Sequence, residues 1–471
     1  MQHEGRWLVP YLSDRPFLEH PPLAYALIGA SLSAFGASET AARLPGAVAS
    51  LGTSWLVFAL ARRLCGPRAG LAALLALVGM AGFFRYSHRA LVDPVLTVFL
   101  ALGCFAYVRA AWPDESAGAH ERVPWRPLLG LYAAAALAFL VKGPVGPALL
   151  AAPIAFDVLL FRGLGFARSW AHAAGAALFV SLCGGWLAWL RHAEGTAALQ
   201  TFWLQNGVLR ILPSAGLGPY AGGHVRELWY YLPRIPQMLG WTIGLLPALV
   251  AWFRRGGPPH DARGAALRFL ALVFPIGVVL LSLAGTKRGL YLLPVTVPLA
   301  VPVGAWIDAL TRPDPRRSRI ELATARICAA AVCSRRELRA DGTGPFRAPR
   351  RVAALVYAGC IAWNLVVAPR MGLGRDLGPL SRAAVATWGP GPVVGYRLGE
   401  DVRGAIPFYT GRIVQMLDGE EAVARYTAAH PDGLLLVGGK EPVHAGGRRA
   451  RPVWSARAPE GFYVLVRAGD L

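Results

Sequence analysis

Lysine is almost missing from this chain. Of its 48 basic residues only Lys142, Lys287 and Lys440 are lysine, and the rest are arginine. Charge of any kind is scarce: 16% of the 471 residues are charged, against about 25% in an ordinary soluble domain. With 55% hydrophobic residues and a mean hydropathy of +0.42, this deficit excludes a soluble globular fold. Acidic residues number 27, which leaves a formal charge of +21. That excess does not point to nucleic acid, because the arginines cluster in short loops between apolar runs, where they act as topology signals. The six cysteines (Cys65, Cys104, Cys183, Cys328, Cys333 and Cys360) fall mostly within apolar runs. They have no CxxC or metal-ligand spacing and read as small buried hydrophobes. No signal-peptide pattern, phosphate-binding glycine loop or convincing internal repeat is found. The last absence counts against a transporter, which calls for inverted repeats and charges near the bilayer midplane.

What the chain does have is apolar runs of the length that crosses a hydrocarbon core, roughly 17–25 residues. Stretches such as LYAAAALAFLV (131–141) offer no polar face. The expected crossings are 44–62, 69–84, 94–112, 128–141, 146–161, 170–190, 235–253, 267–285, 290–308 and 351–368. The apolar stretch 23–36 is too short to span, so it lies in the interface or re-enters the membrane. The expected fold is therefore an all-α polytopic membrane bundle over 23–368, with 1–22 as part of a first outer loop. After residue 368, short strands at 391–398 and 432–439 and a helix at 418–429 predict a small α/β domain, 369–471. Lys440, in a turn after a strand, reads as a solvated surface residue.

The loops set the orientation. One alternate set holds Arg62, Arg63 and Arg68; Arg122 and Arg126; Arg162 and Arg168; Arg254, Arg255, Arg263 and Arg268; and the arginine-rich segment 312–351. The other set is poorer: Arg85 and Arg89; Lys142; Arg191, Arg210, Arg226 and Arg234; Lys287 and Arg288. The positive-inside rule puts the first set in the cytoplasm. The second set, both termini and the loop 191–234 then face outward.

An ionisable residue at a membrane-embedded helix end is a functional candidate, because burying it is costly. The outward ends collect Glu19 and His20 in FLEHPP, and Arg85, His88, Arg89 and Asp93 in FFRYSHRALVDP. They also collect Lys142 in LVKGPVG, and Lys287, Arg288 and Tyr291 in TKRGLYLLP. The outer loop adds Asn206, Arg210 and His224 ahead of LWYYLP. Plainer accounts compete. Arg85 and Arg288 can snorkel, Trp229, Tyr230 and Tyr231 can form an interfacial belt, and Asp93 can pair with Arg89 four residues earlier. Lys142 and Lys287, however, break both the arginine habit of the chain and the charge bias of the outer face. Lysine is a compact point charge suited to gripping a phosphate. One outward-facing chemistry uses this combination: a lipid-phosphate-linked sugar at the membrane surface. Cations hold the phosphate and stabilise it as it leaves, and a carboxylate takes the proton of the acceptor hydroxyl.

The stretch WLVPYLSDRPFLEHPPLAYALIGASLSAFGASETAARLPGAVAS (7–50) resembles the first outer loop and following helix of bacterial GT-C membrane glycosyltransferases. These are the relatives of lipid A aminoarabinose transferase and protein O-mannosyltransferase, also grouped as glycosyltransferase family 39-like. Further likenesses are SHRALVDPVLTVFLAL (87–102), FLVKGPVGPAL (139–149), FWLQNGVLRIL (202–212), HVRELWYYLPRIPQMLGW (224–241) and TKRGLYLLPVTVPLAV (286–301). The resemblance spans residues 7–308. It implies a GT-C fold and transfer of a sugar from a polyprenyl-phosphate donor to a lipid or protein hydroxyl, usually with inversion. The enzyme would sit in the bacterial inner membrane, with its active site and C-terminus toward the periplasm. It implies donor-phosphate contacts for Lys287, Tyr291, Lys142, His20 and Arg288, and catalytic roles for Asp93, Arg89 and Glu19. Asn206, Arg210 and His224 fall on the loop side of the acceptor. No cofactor is certain; some relatives place a metal ligand at the loop histidine, which leaves a divalent metal open.

The chain departs from the pattern twice. Relatives carry an acidic Asp-Glu pair upstream of the WLVP stretch, including the catalytic Asp, whereas here Met1 stands six residues before Trp7. The usual Lys of "EKPP" is His20, which is not reliably cationic near neutral pH. The competing expectation is therefore an N-terminally truncated or degenerate, catalytically inactive scaffold or binding protein of the same fold.

Overall fold

A computed structural model describes residues 7–113, 124–208, 225–258, 260–310, 312, 314–330, 376–389, 393–439, 444–445, 448–449, 453–458 and 461–468. The chain forms two compact units. One comprises Gln2–Leu8 with Leu18–Cys360, and the other Val9–Phe17 with Ile361–Leu471.

The first unit is a helical bundle. Its elements are α1 (Leu23–Phe35), α2 (Glu39–Cys65), α3 (Pro67–Gly79), α4 (Ala81–Tyr86), α5 (Val92–Ala111), α6 (Trp125–Lys142), α7 (Val145–Asp157), α8 (Ala171–Gln200), α9 (Leu246–Arg254), α10 (Ala262–Leu283), α11 (Ala300–Ala309) and α12 (Arg319–Ala330). Among the described residues, eight runs are long and apolar enough to cross a membrane: Glu39–Cys65, Val92–Ala111, Trp125–Lys142, Val145–Arg162, Ala171–Leu204, Leu228–Arg254, Ala262–Leu283 and Gly289–Ala309. The chain is a multi-pass membrane protein.

Two expected boundaries move. The run expected at 69–84 divides, because α3 ends at Gly79 and Met80 turns extended before α4 begins. The stretch 23–36 forms α1, at 13 residues too short to span, as expected. The expected outer loop from 191 is helical to Gln200, with α8 broken at Gly195. The crossing expected at 351–368, and Lys440, lie outside the described residues.

Local chemistry fixes the helix ends. The Ser38 hydroxyl accepts from the Ala41 amide at 3.2 Å to open α2, while Glu39 in the first turn and Arg62 and Arg63 in the last complement its dipole. Asp261 opens α10 by accepting from the amides of Arg263 and Gly264. Inside the bundle α5 and α6 pack together: a Cβ added at Gly130 would lie 3.7 Å from that of Ala106, and both helices bury further small residues, among them Ala110, Ala134 and Ala138. Small side chains let backbones approach where no hydrophobic force drives helices together.

The end of the bundle reached by the C-terminus of α5 carries the arginine-rich loops. There Arg63 donates to the Trp112 carbonyl at 3.0 Å, and Tyr107 donates to Asp157 at 2.7 Å. Arg255 pairs with Glu321 at 2.6 Å and Asp314 at 2.8 Å, tying α12 to α9.

The second unit is a five-stranded sheet. Its strands are β3 (Val393–Tyr396), β4 (Val414–Leu417), β5 (Leu434–Gly439), β8 (Trp454–Ala458) and β9 (Gly461–Arg467), in the order β4-β3-β5-β9-β8. β3 runs parallel to β4 and β5, and β9 antiparallel to β5 and β8. A two-residue pair, β6 (His444–Ala445) with β7 (Arg448–Arg449), stands apart from this sheet. Helices α13 (Gly378–Trp388), α14 (Glu400–Thr410) and α15 (Gly419–Ala429) accompany the sheet, whose core includes Val393, Val402, Ile406, Leu436 and Leu465. The hairpin β1 (Tyr11–Leu12) to β2 (Arg15–Pro16) belongs to this unit: Arg15 pairs with Asp418 at 2.6 Å and donates to the Met416 carbonyl at 2.8 Å.

The turn between α4 and α5 is seated directly on α2. The Ser50 hydroxyl donates to the Ser87 carbonyl at 3.0 Å, and a Cβ added at Gly46 would stand 2.6 Å from the Arg89 carbonyl oxygen. We expect Gly46→Ala to destabilise the purified protein by about 1–3 kcal/mol, read as a lower melting temperature in detergent. An unchanged melting temperature would show that the turn gives way without cost.

Candidate active site

The polar end of the bundle is built around one ion pair. Asp93 lies in the first turn of α5 and Lys142 is the last residue of α6. Each charge complements the dipole of its own helix. Gly143, at φ +65°, ends α6 immediately after the lysine, in a conformation other residues rarely adopt. Asp93 is 4% exposed and Lys142 8%. The Lys142 ammonium donates to Asp93 Oδ1 in a short charged hydrogen bond. It also lies 3.8 Å from the centroid of the Tyr291 ring, a cation–π contact. Asp93 thus takes its partner from the neighbouring helix, and not from Arg89 on its own side, as local spacing had suggested. The Thr97 hydroxyl donates to the Asp93 carbonyl at 2.7 Å and steadies the first turn.

A second wall comes from two chain segments laid side by side. Val225 bridges Thr286, and the Arg226 amide donates to the Gly285 carbonyl at 3.2 Å. Lys287, 3% exposed, donates to the Arg226 carbonyl at 2.9 Å. Burial pushes its ammonium below the ordinary lysine pKa of 10.5. Arg288 is close enough to act on the Asp93 charge, and its carbonyl accepts from the Tyr291 amide at 3.1 Å. Tyr231, 1% exposed, stacks edge-on against Tyr230 at 5.3 Å, and among the described residues its buried hydroxyl has no acceptor for its proton, although the Arg288 amide approaches the oxygen. Arg234 covers the Tyr230 ring at 3.5 Å.

The other predicted residues fall into three groups. Glu19 and His20 stand in the turn before α1, and Pro21 of that turn flanks Gly143 together with Phe202. That places the FLEHPP turn beside the end of α6. Trp186 donates to the Leu8 carbonyl at 2.9 Å, tying the residues before the turn to α8. Arg89 lies in the turn before α5, 5.8 Å from the Tyr86 ring centroid. Asn206 falls in the turn Thr201–Val208 with only its backbone described, and Arg210 and His224 lie outside the described residues. Among the described residues no group of three or more His, Cys, Asp or Glu side chains is placed to hold a metal.

Sequence reasoning missed two parts of this site. Tyr231 reads as an interfacial aromatic, yet in the structure Trp229 is 62% exposed while Tyr231 is buried. The signal was the doubled tyrosine in LWYYLP, only part of which a belt requires. The Arg226 carbonyl is a backbone group and carries no sequence signal.

Residues 19–189 match the family model described as dolichyl-phosphate-mannose-protein mannosyltransferase. Two relatives named undecaprenyl phosphate-alpha-4-amino-4-deoxy-L-arabinose arabinosyl transferase are similar in sequence. The one from Pseudomonas paraeruginosa is 29% identical over 66% of this chain and 54% of its own length. The one from Pseudomonas aeruginosa PAO1 is 30% identical over 64% and 52%. The chain thus spans about half the length of the relatives it matches. The crystal structure of ArnT from Cupriavidus metallidurans bound to undecaprenyl phosphate superposes with a TM-score of 0.70 at 18% identity, covering 99% of this chain and 91% of that one, a likeness of fold. Motifs, segment match and fold agree: this chain resembles the GT-C membrane glycosyltransferases of the aminoarabinose-transferase and protein-mannosyltransferase kind.

Proposed function

We propose that this protein moves a sugar from a polyprenyl-phosphate donor to a hydroxyl of a lipid or protein, on the extracytoplasmic side of a bacterial inner membrane. The observation that carries this reading is the buried Lys142–Asp93 pair under Tyr291, with Lys287, Arg288 and Tyr231 nearby. It lies at the end of the bundle that is poor in arginine, where an anionic headgroup would meet cations held in place by buried partners. The relatives' printed donor, undecaprenyl phosphate carrying 4-amino-4-deoxy-L-arabinose, is the first to try.

In the proposed reaction the acceptor oxygen attacks the anomeric carbon, and the bond from that carbon to the phosphate oxygen breaks with inversion. The bonding pair leaves with the phosphate, whose formal charge grows from −1 to −2. Lys142, Lys287 and Arg288 offset that growing charge, with His20 beside them when protonated. Asp93 holds Lys142 in place and aims it, and Tyr291 covers it. Glu19, in the turn beside Gly143, takes the acceptor proton, with Arg89 fixing the neighbouring turn. Asn206, Arg210 and His224 belong to the acceptor side. A divalent metal, if one takes part, would need His224 and further ligands.

Two predictions test this. Removing one partner of the buried pair, by Asp93→Asn or Lys142→Met, should destabilise the protein by about 3–5 kcal/mol. The apolar double variant Asp93→Leu/Lys142→Met should recover most of that loss. Donor consumption in proteoliposomes should disappear in all three. Transfer surviving in the stable double variant would refute the phosphate role, and a wild type that binds donor without consuming it would leave a non-catalytic binding protein.

The second concerns pH. The depressed Lys287 pKa means that affinity for undecaprenyl phosphate falls as pH rises through a value below 10.5. In the same window the unliganded fold gains stability, because the unfolded chain holds that proton more firmly. Lys287→Arg should remove the alkaline decline, since a guanidinium stays charged. An identical decline in that variant would assign it to another group.

A further inference from the structure

We infer that Tyr231 is a donor-phosphate ligand, its hydroxyl giving a hydrogen bond to an oxygen of the lipid phosphate. This rests on the reading of the site as a polyprenyl-phosphate transferase and adds a contact that neither the motifs nor the family likeness assign.

Buried polar atoms are almost always paired, because an unpaired hydroxyl forfeits its hydration for nothing. Tyr231 is 1% exposed, and among the described residues its hydroxyl proton finds no acceptor; the only backbone group that acts on the oxygen is the Arg288 amide, a donor. A phenylalanine would fill the same space without that cost. The ring itself is well seated, edge-on to Tyr230, which is capped in turn by Arg234. The hydroxyl end shares its surroundings with Tyr291, Asp93 and the backbone of Arg288. These are the neighbours of the Lys142 ammonium and of the segment that carries Lys287.

The surroundings also select the ligand. Asp93 is committed to Lys142, and the cations of this corner, Lys142, Lys287 and Arg288, outnumber that one carboxylate, so it calls for an anion. A neutral phenol can only donate to such an anion or accept from a donor. Lys142 and Lys287, two of the nearby side-chain donors, already have acceptors in Asp93 and the Arg226 carbonyl. A phosphate oxygen supplies the missing acceptor. The bond should strengthen as the sugar departs, because the phosphate then gains negative charge.

Tyr231→Phe removes the hydroxyl alone. Full-length wild type and variant would be placed in nanodiscs, with binding of undecaprenyl phosphate titrated and thermal melting recorded without ligand. The expected result is an unchanged or higher melting temperature together with roughly 10- to 100-fold weaker binding, the range for a hydrogen bond to a charged group. Tyr230→Phe should bind as wild type does. Wild-type affinity in Tyr231→Phe would overturn the inference and leave the transferase reading intact. A variant that melts well below wild type would overturn it too, since the hydroxyl would then have a structural partner. Failure of the wild type to bind undecaprenyl phosphate would remove both the inference and the reading it rests on.

Discussion

The site depends on a single buried ion pair between the start of one membrane helix and the end of its neighbour. Two charges taken out of water are held only if each finds strong compensation. Asp93 and Lys142 find it in one another, in the opposed dipoles of α5 and α6, and in the face of Tyr291. The pair works as a latch as well as a charge source, because its length fixes the register of the two helices at this end. The turn ahead of Asp93 is in turn seated on α2 by the Ser50 hydroxyl. A shift anywhere along α2, α5 or α6 is therefore felt at one ammonium group.

This constraint also explains why a chain that writes arginine almost everywhere writes lysine here. A guanidinium brings five N–H donors in a rigid plane. Between a buried carboxylate and an aromatic ring, most of them would be left without acceptors. An ammonium is compact and can be satisfied by one carboxylate, one ring and one incoming anion. Lys287 follows the same logic with the Arg226 carbonyl as its fixed acceptor. At the opposite end, where loops meet water, Arg255 can use its whole fork on Glu321 and Asp314.

Much of this was readable before the structure. Apolar run lengths located most of the spans, and the short strand-like segments after residue 368 located the sheet unit, because both signals are local. The two odd lysines and Asp93 were legible as site candidates because ionisable residues at membrane helix ends stand out against an apolar background. What was not legible depended on distant contacts. Asp93 sits four residues from Arg89, so local spacing offered the wrong partner; the true one lies 49 positions away and is set by α5–α6 packing. The break between α3 and α4 and the extension of α8 to Gln200 depend on neighbours that hydropathy does not register. The grouping of residues 9–17 with the sheet unit rests on Arg15 and Asp418, more than 400 positions apart.

The remaining feature of this end of the bundle is that its polar groups are unequally satisfied. Asp93 and Lys142 are closed on each other, Lys287 has one carbonyl, and the Tyr231 hydroxyl has no acceptor among the described residues. A fold selected for stability alone would fill such a corner with apolar side chains, since burying unpaired polar atoms lowers stability without return. Binding sites are where that cost persists, because groups fixed in place beforehand need not reorganise when charge develops. A gradient from fully paired to unpaired therefore has a direction. It runs from the helix pair that holds the framework toward the 225–234 and 285–292 segments, where the polar capacity still unspent is that of donors. On the proposed reading, an anion bound here would take up those unspent donors beside the closed ion pair. The charge of a departing phosphate would then be met without breaking the contact that holds the helices together.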